Sequence, residues 1–447
     1  MTALVSSPDW DSAALQQIAE QVLSLAKQQG ATSAEVGASM SNGLSVAVRM
    51  GEVETLEHYQ DRSLAITVYK GARKGSATTT DFSSAAVSEL VSAACSIAEF
   101  TAEDKYAGLA DANLMAQSAT DLDLYRAWPI SVEDIIELAQ HCEAVALQEK
   151  GIENSDSASV TRYGGYALYA NSHGFIGGYA SSRHSIGCTV IAGKGDTMQR
   201  DYWYSSARHP EALDPAEQIG KKAAQRAVAR LNARKIKTGC YPVLFAPEMA
   251  RSLLGNFVAA IRGSALYRKT SFLLGHKGKA VFPSFVQIKE EPHLLRALGS
   301  APFDSEGVQT CARNIVCDGI LQDYVLDSYS ARRLGTQTTG NAGGVHNLEI
   351  QAGDDTQSDL LRKMERGLLL TEMMGQGVNL VTGDYSRGAT GFWIENGEIQ
   401  YPVEEITVAG NLSNMFHDVV AVGNDIDTRG TIRSGSILVG EMTVAGS

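Results

Sequence analysis

Twice within its first 232 residues the chain switches hydrophobic period from helical to alternating and back, and few architectures accept that order. Asp11 or Ser12 caps a first helix in which Leu15, Ile18, Val22 and Leu25 recur at helical spacing, and Gly30 supplies a left-handed stop. Leu44, Val46 and Val48, then Leu64, Ile66 and Val68, alternate as half-buried strands do, with Asn42-Gly43 and Gly71 as turn signals. A second helix spans Ser83 to Phe100. Residues 101–129 lose periodicity and read as a connecting segment. The order then repeats: a helix capped by Ser131 with Asp134 at its positive end, strands and turns over 160–206, and a helix opened by Asp214-Pro215 with proline in the first turn. The repetition suggests a duplication.

The basic, irregular stretch from Asn232 to Gly239 marks the main boundary. It separates an N-terminal lobe, 1–232, with sub-modules 30–100 and 125–232, from a β-rich C-terminal lobe, 238–447. Helices are expected there at 247–261 and 358–374, and hairpins at Asp318-Gly319 and Asn396-Gly397. The fold class is therefore α+β, an N-terminal lobe of helices with antiparallel strands followed by a β-rich lobe.

Charge narrows the function. Lys+Arg is 38 against 51 Asp+Glu, a net charge of −13, so nucleic-acid binding needs a local basic patch. No apolar run is long enough to span a bilayer. Cys95, Cys142, Cys188, Cys240, Cys311 and Cys317 are scattered without a C-x-x-C pair, and the first residues show no leader pattern. Buried reduced thiols in a cytoplasmic protein are the economical expectation.

Standard catalytic motifs are missing. No histidine is followed by glutamate, and no nucleophile elbow, phosphate loop or dinucleotide fingerprint occurs. Weaker features remain. Lys222, Arg226, Arg230 and Arg234, spaced by four, form a basic stripe that could take phosphate or an acidic partner; the plain alternative is a solvated helix face. Asp304 and Glu306 could act as an acid/base pair or simply form a polar turn. Cys311 and Cys317 fit no metal ribbon and read as core residues. His346 could orient a substrate, although no second ligand-type residue lies near it in sequence. Thr382-Gly383-Asp384-Tyr385-Ser386-Arg387-Gly388 packs four polar side chains between glycines, either to meet a peptide carboxylate or as a tight loop held by an Asp–Arg pair.

Taken in order, the segments 267–275, 302–308, 341–347, 382–388 and 422–426, with Gly51–Glu54, Gly75–Ala77 and Asn171–Gly174 before them, resemble the TldD/PmbA family, also labelled modulators of DNA gyrase. The resemblance covers nearly the whole length. It implies a cytoplasmic, heteromeric zinc peptidase built from TldD and TldE chains and acting on peptides or unfolded polypeptides. In TldD-type chains a helix carries H-E-x-x-x-H and a distant cysteine completes the zinc site. The corresponding positions here are Gly255, Asn256, Ala260 and Ser434, and no histidine lies between His209 and His276. Glycine and alanine have no donor atoms, a serine hydroxyl is a poor zinc ligand, and Asn cannot accept a proton as Glu does. The resemblance thus implies the TldE-type subunit, without zinc of its own, beside a TldD partner that supplies the metal. Whether this chain hydrolyses peptide bonds by itself stays open. Asp384, Tyr385, Ser386, Arg387, His346 and Asn347 are the candidates for peptide contact, and self-association is expected when the partner is absent. The alternative is a metal-free adaptor, modulator-like and independent of TldD, for which the stripe from Lys222 to Arg234 is the sole sequence support.

Overall fold

The computed structural model describes residues 10–117 and 120–446; the amino-terminal stretch read for a leader pattern, apart from Trp10 and Asp11, lies outside them. The N-terminal half runs α1 (Ser12–Gln28), β1 (Ser33–Arg49), β2 (Glu52–Lys70), β3 (Arg73–Thr79), α2 (Ser84–Phe100), α3 (Val132–Leu147), β4 (Ile152–Asn171), β5 (Ile176–Ala192), β6 (Gln199–Ala207) and α4 (Ala216–Ala229). Each αβββα unit gives three strands to one sheet of order β3-β2-β1-β4-β5-β6. The units meet where β1 and β4 pair antiparallel, from Glu35↔Asn171 to Val48↔Ala158. The repeated sequence pattern is thus a repeated fold, related about a centre near Asn42 and Gly164.

Strand alternation explains why all four helices share one side. Val36 and Ala38 bury against α1 and α2, Leu44, Val46 and Val48 against α3 and α4, and all five have the same parity. The two helix pairs leave a gap between them, opposite Asn42 of β1. The units are also tied by Glu143 on α3, whose carboxylate accepts the amides of Met50 at 2.9 Å and Gly51 at 2.7 Å in the β1–β2 turn.

The C-terminal half continues with β7 (Gly239–Phe245), α5 (Pro247–Ile261), α6 (Gly263–Tyr267), β8 (Ile288–Glu290), β9 (Arg313–Cys317), β10 (Ile320–Leu321), α7 (Ser328–Leu334), β11 (Leu348–Ile350), α8 (Gln357–Met364) and β12 (Gly367–Met374). It ends with β13 (Asp384–Glu395), β14 (Glu398–Asn411), α9 (Leu412–His417), β15 (Val419–Val422), β16 (Ile432–Arg433) and β17 (Ile437–Ala445). One sheet runs β14-β13-β12-β7-β17-β15, and because β14 also pairs with β17 its strands close on themselves. A smaller sheet, β10-β9-β8-β11-β16, lies beside it.

Four expectations change. Asn42 and Gly43 form no turn; β1 runs through them, and Gly43 makes room for the Tyr59 ring, which a Cβ there would meet at 2.1 Å. The turn lies at Met50-Gly51, both at positive φ, as a tight hairpin demands. The helix expected over 358–374 stops at Met364: Glu365 turns to φ 58°, and Leu368 to Leu370 form a central strand buried on both faces and parallel to β7. Such a strand has a continuous apolar run that periodicity cannot tell from a helix. Pro215 sits at the N-cap of α4 rather than inside its first turn. The cysteines divide: Cys95, Cys142 and Cys188 are buried, whereas Cys240 and Cys311 are exposed and Cys317 is half-buried. Cys311 misses the core because it precedes β9 in irregular backbone. Both predicted hairpins form, with positive φ at Asp318, Gly319, Asn396 and Gly397.

Candidate functional site

Helix α5 carries the positions that the family resemblance singles out. It follows β7 directly, with Pro247 in its first turn and Glu248 favouring the positive helix end. Ala250, Leu253, Leu254, Phe257, Ala260 and Ile261 form the stripe it buries. Ala260 is therefore a core residue, 0% exposed, with its carbonyl accepting the Ser271 hydroxyl at 2.5 Å. Gly255 lies off that stripe beside a cavity of about 350 Å³ bordered by Val258, Arg262, Arg268 and Leu380. A Cβ added at Gly255 would meet only Ile432 Cδ1, at 4.0 Å. Asn256 turns its amide back onto the Ser252 carbonyl at 3.1 Å.

The tertiary structure brings the fourth position to the same helix. Ile432 of β16 packs at Gly255, and Asp427, bridged to Ser434, pairs with Arg251 of α5 at 2.6 Å. Ser434 itself is fully buried and donates to the Gly435 carbonyl at 2.8 Å. The arrangement does not fit zinc: none of the four side chains is an imidazole, thiolate or carboxylate. Among the described residues no group of three or more His, Cys, Asp and Glu side chains is placed to hold a metal ion.

The peptide-contact candidates fall in two separate places. Asp384 to Arg387 open strand β13 instead of forming a loop, so their side chains alternate. Tyr385 points into the core, 1% exposed, with its hydroxyl on Met373 Sδ. Asp384 accepts Thr382 Oγ1 at 2.6 Å and Arg387 donates to the Met374 carbonyl at 3.2 Å, so the alternative of a loop held by an Asp–Arg pair gives way to separate bonds. Asp384 and Ser386 are exposed. Leu380, just before this strand, reaches the cavity beside Gly255.

His346 and Asn347 belong to a buried knot elsewhere. Glu290, 2% exposed, accepts the His346 amide, the Asn341 side-chain amide and Arg313 Nε within 2.9 Å. Asn347 donates to Ser300 and Glu291 and accepts the Gly299 amide, which withdraws it from any ligand. The His346 ring is half-buried against the Gly299 carbonyl. The glycine-rich motif 341–347 therefore shapes backbone around a buried carboxylate.

Asp304 and Glu306 do form a turn, at Gly307, but a buried one. Asp304 accepts the amides of Glu306, Val308 and Ala342. Burial raises the Glu306 carboxyl to about 7, with Asp304 and Asp327 adding to the effect and the Ser328 amide opposing it.

The basic stripe is a seam between the halves. Helix α4 ends at Ala229, so its residues do not share one continuous helical face. Arg226 and Arg230 both pair with Asp201, Arg226 also faces Glu248, and Arg230 reaches Glu372 at 2.6 Å. Arg234 lies over the Tyr401 ring. Arg429, unnoticed in the sequence, completes the seam: it stacks 4.2 Å from the centre of Trp203 and 4.4 Å from that of Tyr204, and binds Asp427 and Glu248. Adjacency of Trp203-Tyr204 to arginines far along the chain was not visible as a spacing.

Known proteins share this sequence pattern and this fold. The family described as PmbA/TldA metallopeptidase matches in three consecutive stretches, its domain 1 over residues 34–98, its central domain over 125–231 and its C-terminal domain over 238–446. The Escherichia coli O157:H7 protein named Metalloprotease PmbA is 49% identical over 414 residues, 92% of each chain. A crystal structure from Bacteroides thetaiotaomicron, described as a modulator of DNA gyrase, superposes with TM-score 0.92 at 29% identity, covering 97% of this chain and 99% of that one. TldE from Thermococcus kodakarensis shares the fold, with TM-score 0.83 at 20% identity, over 96% of this chain and all of that one.

Proposed function

This chain belongs to the PmbA/TldD metallopeptidase family, and on that premise we propose that it is the TldE-type, metal-free subunit of a two-component zinc peptidase. A TldD-like partner supplies the zinc, and this chain completes the chamber in which an extended peptide or unfolded polypeptide is cut. The observation that carries the reading is a set without imidazole, thiolate or carboxylate on and beside α5: Gly255, Asn256 and Ala260, with Ser434 brought toward the helix by residues 427–434. The cavity beside Gly255 supports it as a place for substrate or partner side chains. The peptide contacts narrow to Asp384, Ser386 and Arg387, since Tyr385 and Asn347 are buried and His346 is half-buried in its knot. A cytoplasmic setting fits the reading; among the described residues no helix is long and apolar enough to cross a membrane.

The adaptor reading keeps less of its sequence support, because Arg226 and Arg230 are engaged with carboxylates and only Lys222 and Arg234 of the stripe stay exposed. The deciding test compares the purified chain alone and mixed with TldD from the same organism, recording bound zinc and cleavage of an unstructured peptide. The expected result is neither zinc nor cleavage alone, and chelator-sensitive cleavage in the mixture. Stoichiometric zinc with cleavage by the chain alone would refute it.

A further inference from the structure

The gap between the two helix pairs of the N-terminal sheet holds a pocket that the peptidase reading does not use. Across β2, β1, β4 and β5, His58, Leu44, Arg162 and His184 stand in one register row, and Gln60, Asn42, Gly164 and Ser182 in the next. These even-numbered residues share the sheet face that buries aliphatic side chains on either side. At the centre of the repeat that face turns polar. The connecting segment crosses above it, Tyr125 over Gly164 and Trp128 edge-on to His184, and leaves a cavity of about 470 Å³. That size suits a small organic ligand.

The electrostatics of this pocket are unbalanced. Two arginines and two histidines line it, and no aspartate or glutamate does, in a chain with a net charge of −13. Arg162 is half-buried and, among the described residues, has no carboxylate partner. Its NH1 donates to the carbonyls of Trp128 and Ile130 at 3.2 and 3.3 Å, leaving Nε and NH2 uncommitted. Arg226, Arg230, Arg313 and Arg429, also half-buried, each hold a carboxylate, whereas Arg332 satisfies all three of its guanidinium nitrogens on backbone carbonyls; Arg162 does neither. His184, 2% exposed, bonds the Arg126 carbonyl through Nε2, and its buried Nδ1 has no partner. A carbonyl only accepts, so Nε2 carries the proton and Nδ1 is an unused acceptor. A half-buried guanidinium without a counter-charge is partly desolvated at a cost, and an unpaired buried acceptor is costly too. A bound carboxylate relieves the first; the acceptor at His184 is met only by a donor on the ligand.

We propose that this pocket binds a carboxylate carried on an apolar or aromatic body. The carboxylate takes Nε and NH2 of Arg162 as a fork, and the body lies against Trp128 and Tyr125. Exposed His58 and Gln60 leave the β2 side open, so the body can extend outward. Both a peptide's C-terminal residue and a free aromatic acid have this chemistry. The proposal stands apart from the peptidase reading, because binding is measured on the chain without a TldD partner.

The test titrates the full chain with N-acetylphenylalanine, with its amide, and with a longer peptide ending in the same free acid, using calorimetry or ligand-observed NMR. The acid binds saturably, and the amide binds roughly tenfold or more weakly, as loss of a charge-assisted hydrogen bond requires. Arg162→Met abolishes the preference for acid over amide. Because that variant also frees the carbonyls of Trp128 and Ile130, Asn42→Asp provides the second arm. It sets a carboxylate diagonally across the β1–β4 pair from Arg162, where it occupies the guanidinium and weakens acid binding by a similar factor. Tighter binding of the longer peptide assigns the ligand to polypeptide ends, and equal binding to small acids. Equal affinity for acid and amide, no saturation by either, or unchanged acid binding in Asn42→Asp overturns the proposal.

Discussion

Replacing Arg429 by Met tests whether the seam holds the two halves together. The guanidinium contacts Asp427 through Nε at 2.9 Å and NH2 at 3.1 Å, Glu248 at 3.2 Å and the Tyr204 carbonyl at 2.8 Å. Stripping one partner from a buried ion pair costs about 3–5 kcal/mol. Asp427 keeps Arg251 at 2.6 Å and the amide of residue 429 at 2.9 Å, so roughly half of that cost, ~2 kcal/mol, is expected from the carboxylates. Loss of stacking on Trp203 and Tyr204 adds about 1–2 kcal/mol, and Met retains the apolar contact of the arginine stem. The expected destabilisation is about 3–4 kcal/mol, read as a lower urea midpoint at unchanged slope. Amide exchange should accelerate at 201–204 and 425–429. Arg429→Lys keeps the charge but loses the planar fork and stack, and should lie between wild type and Met. A pH arm checks the cause. Burial alone would raise the Asp427 carboxyl, but Arg429 and Arg251 hold it below its ordinary value of 3.8. Its stabilising contribution is therefore complete above about pH 4 and is lost as pH falls through the depressed value, more steeply in wild type than in the Met variant. A midpoint within about 0.5 kcal/mol of wild type, the worth of exposed ion pairs, would refute the reasoning.

Charge reversal along the former stripe should split by engagement: Lys222→Glu costs about 1 kcal/mol or less, because Lys222 is exposed over Trp203, whereas Arg230→Glu, facing Asp201 and Glu372, costs about 3 kcal/mol or more in the same urea assay. Glu306 works in the opposite pH direction from Asp427. Its folded value near 7 exceeds the ordinary 4.5, so stability is greatest below about pH 4.5 and declines as pH rises toward 7, by about 3 kcal/mol at most. Glu306→Gln should flatten that decline and raise the midpoint at pH 8; a wild-type curve flat between pH 5 and 7 would show that the carboxyl is solvated.

Local chemistry was legible wherever one stretch of chain settles its own conformation. The caps at Asp11 and Ser131 bond the amides of Ala14 and Asp134 as their side chains predict. The hairpins at Asp318-Gly319 and Asn396-Gly397 follow from residues that tolerate positive φ. Asn42-Gly43 carries the same signal and fails, since its glycine answers a neighbour, Tyr59, across the strand pair. The run 367–374 failed because burial on both faces erases alternation.

By itself the sequence determined the α+β class, the repeated helix–strands–helix order, the family and the absence of imidazole, thiolate or carboxylate at Gly255, Asn256, Ala260 and Ser434. These follow from residue type and short-range period. Tertiary structure alone decided which charged groups meet. It paired Arg226 and Arg230 with Asp201, placed Arg429 on Trp203, buried Tyr385 and Asn347, and left Arg162 without a carboxylate at the centre of the sheet. A side chain's charge is written in its own codon, but its counter-charge lies wherever the fold brings the chain back, tens to hundreds of residues away.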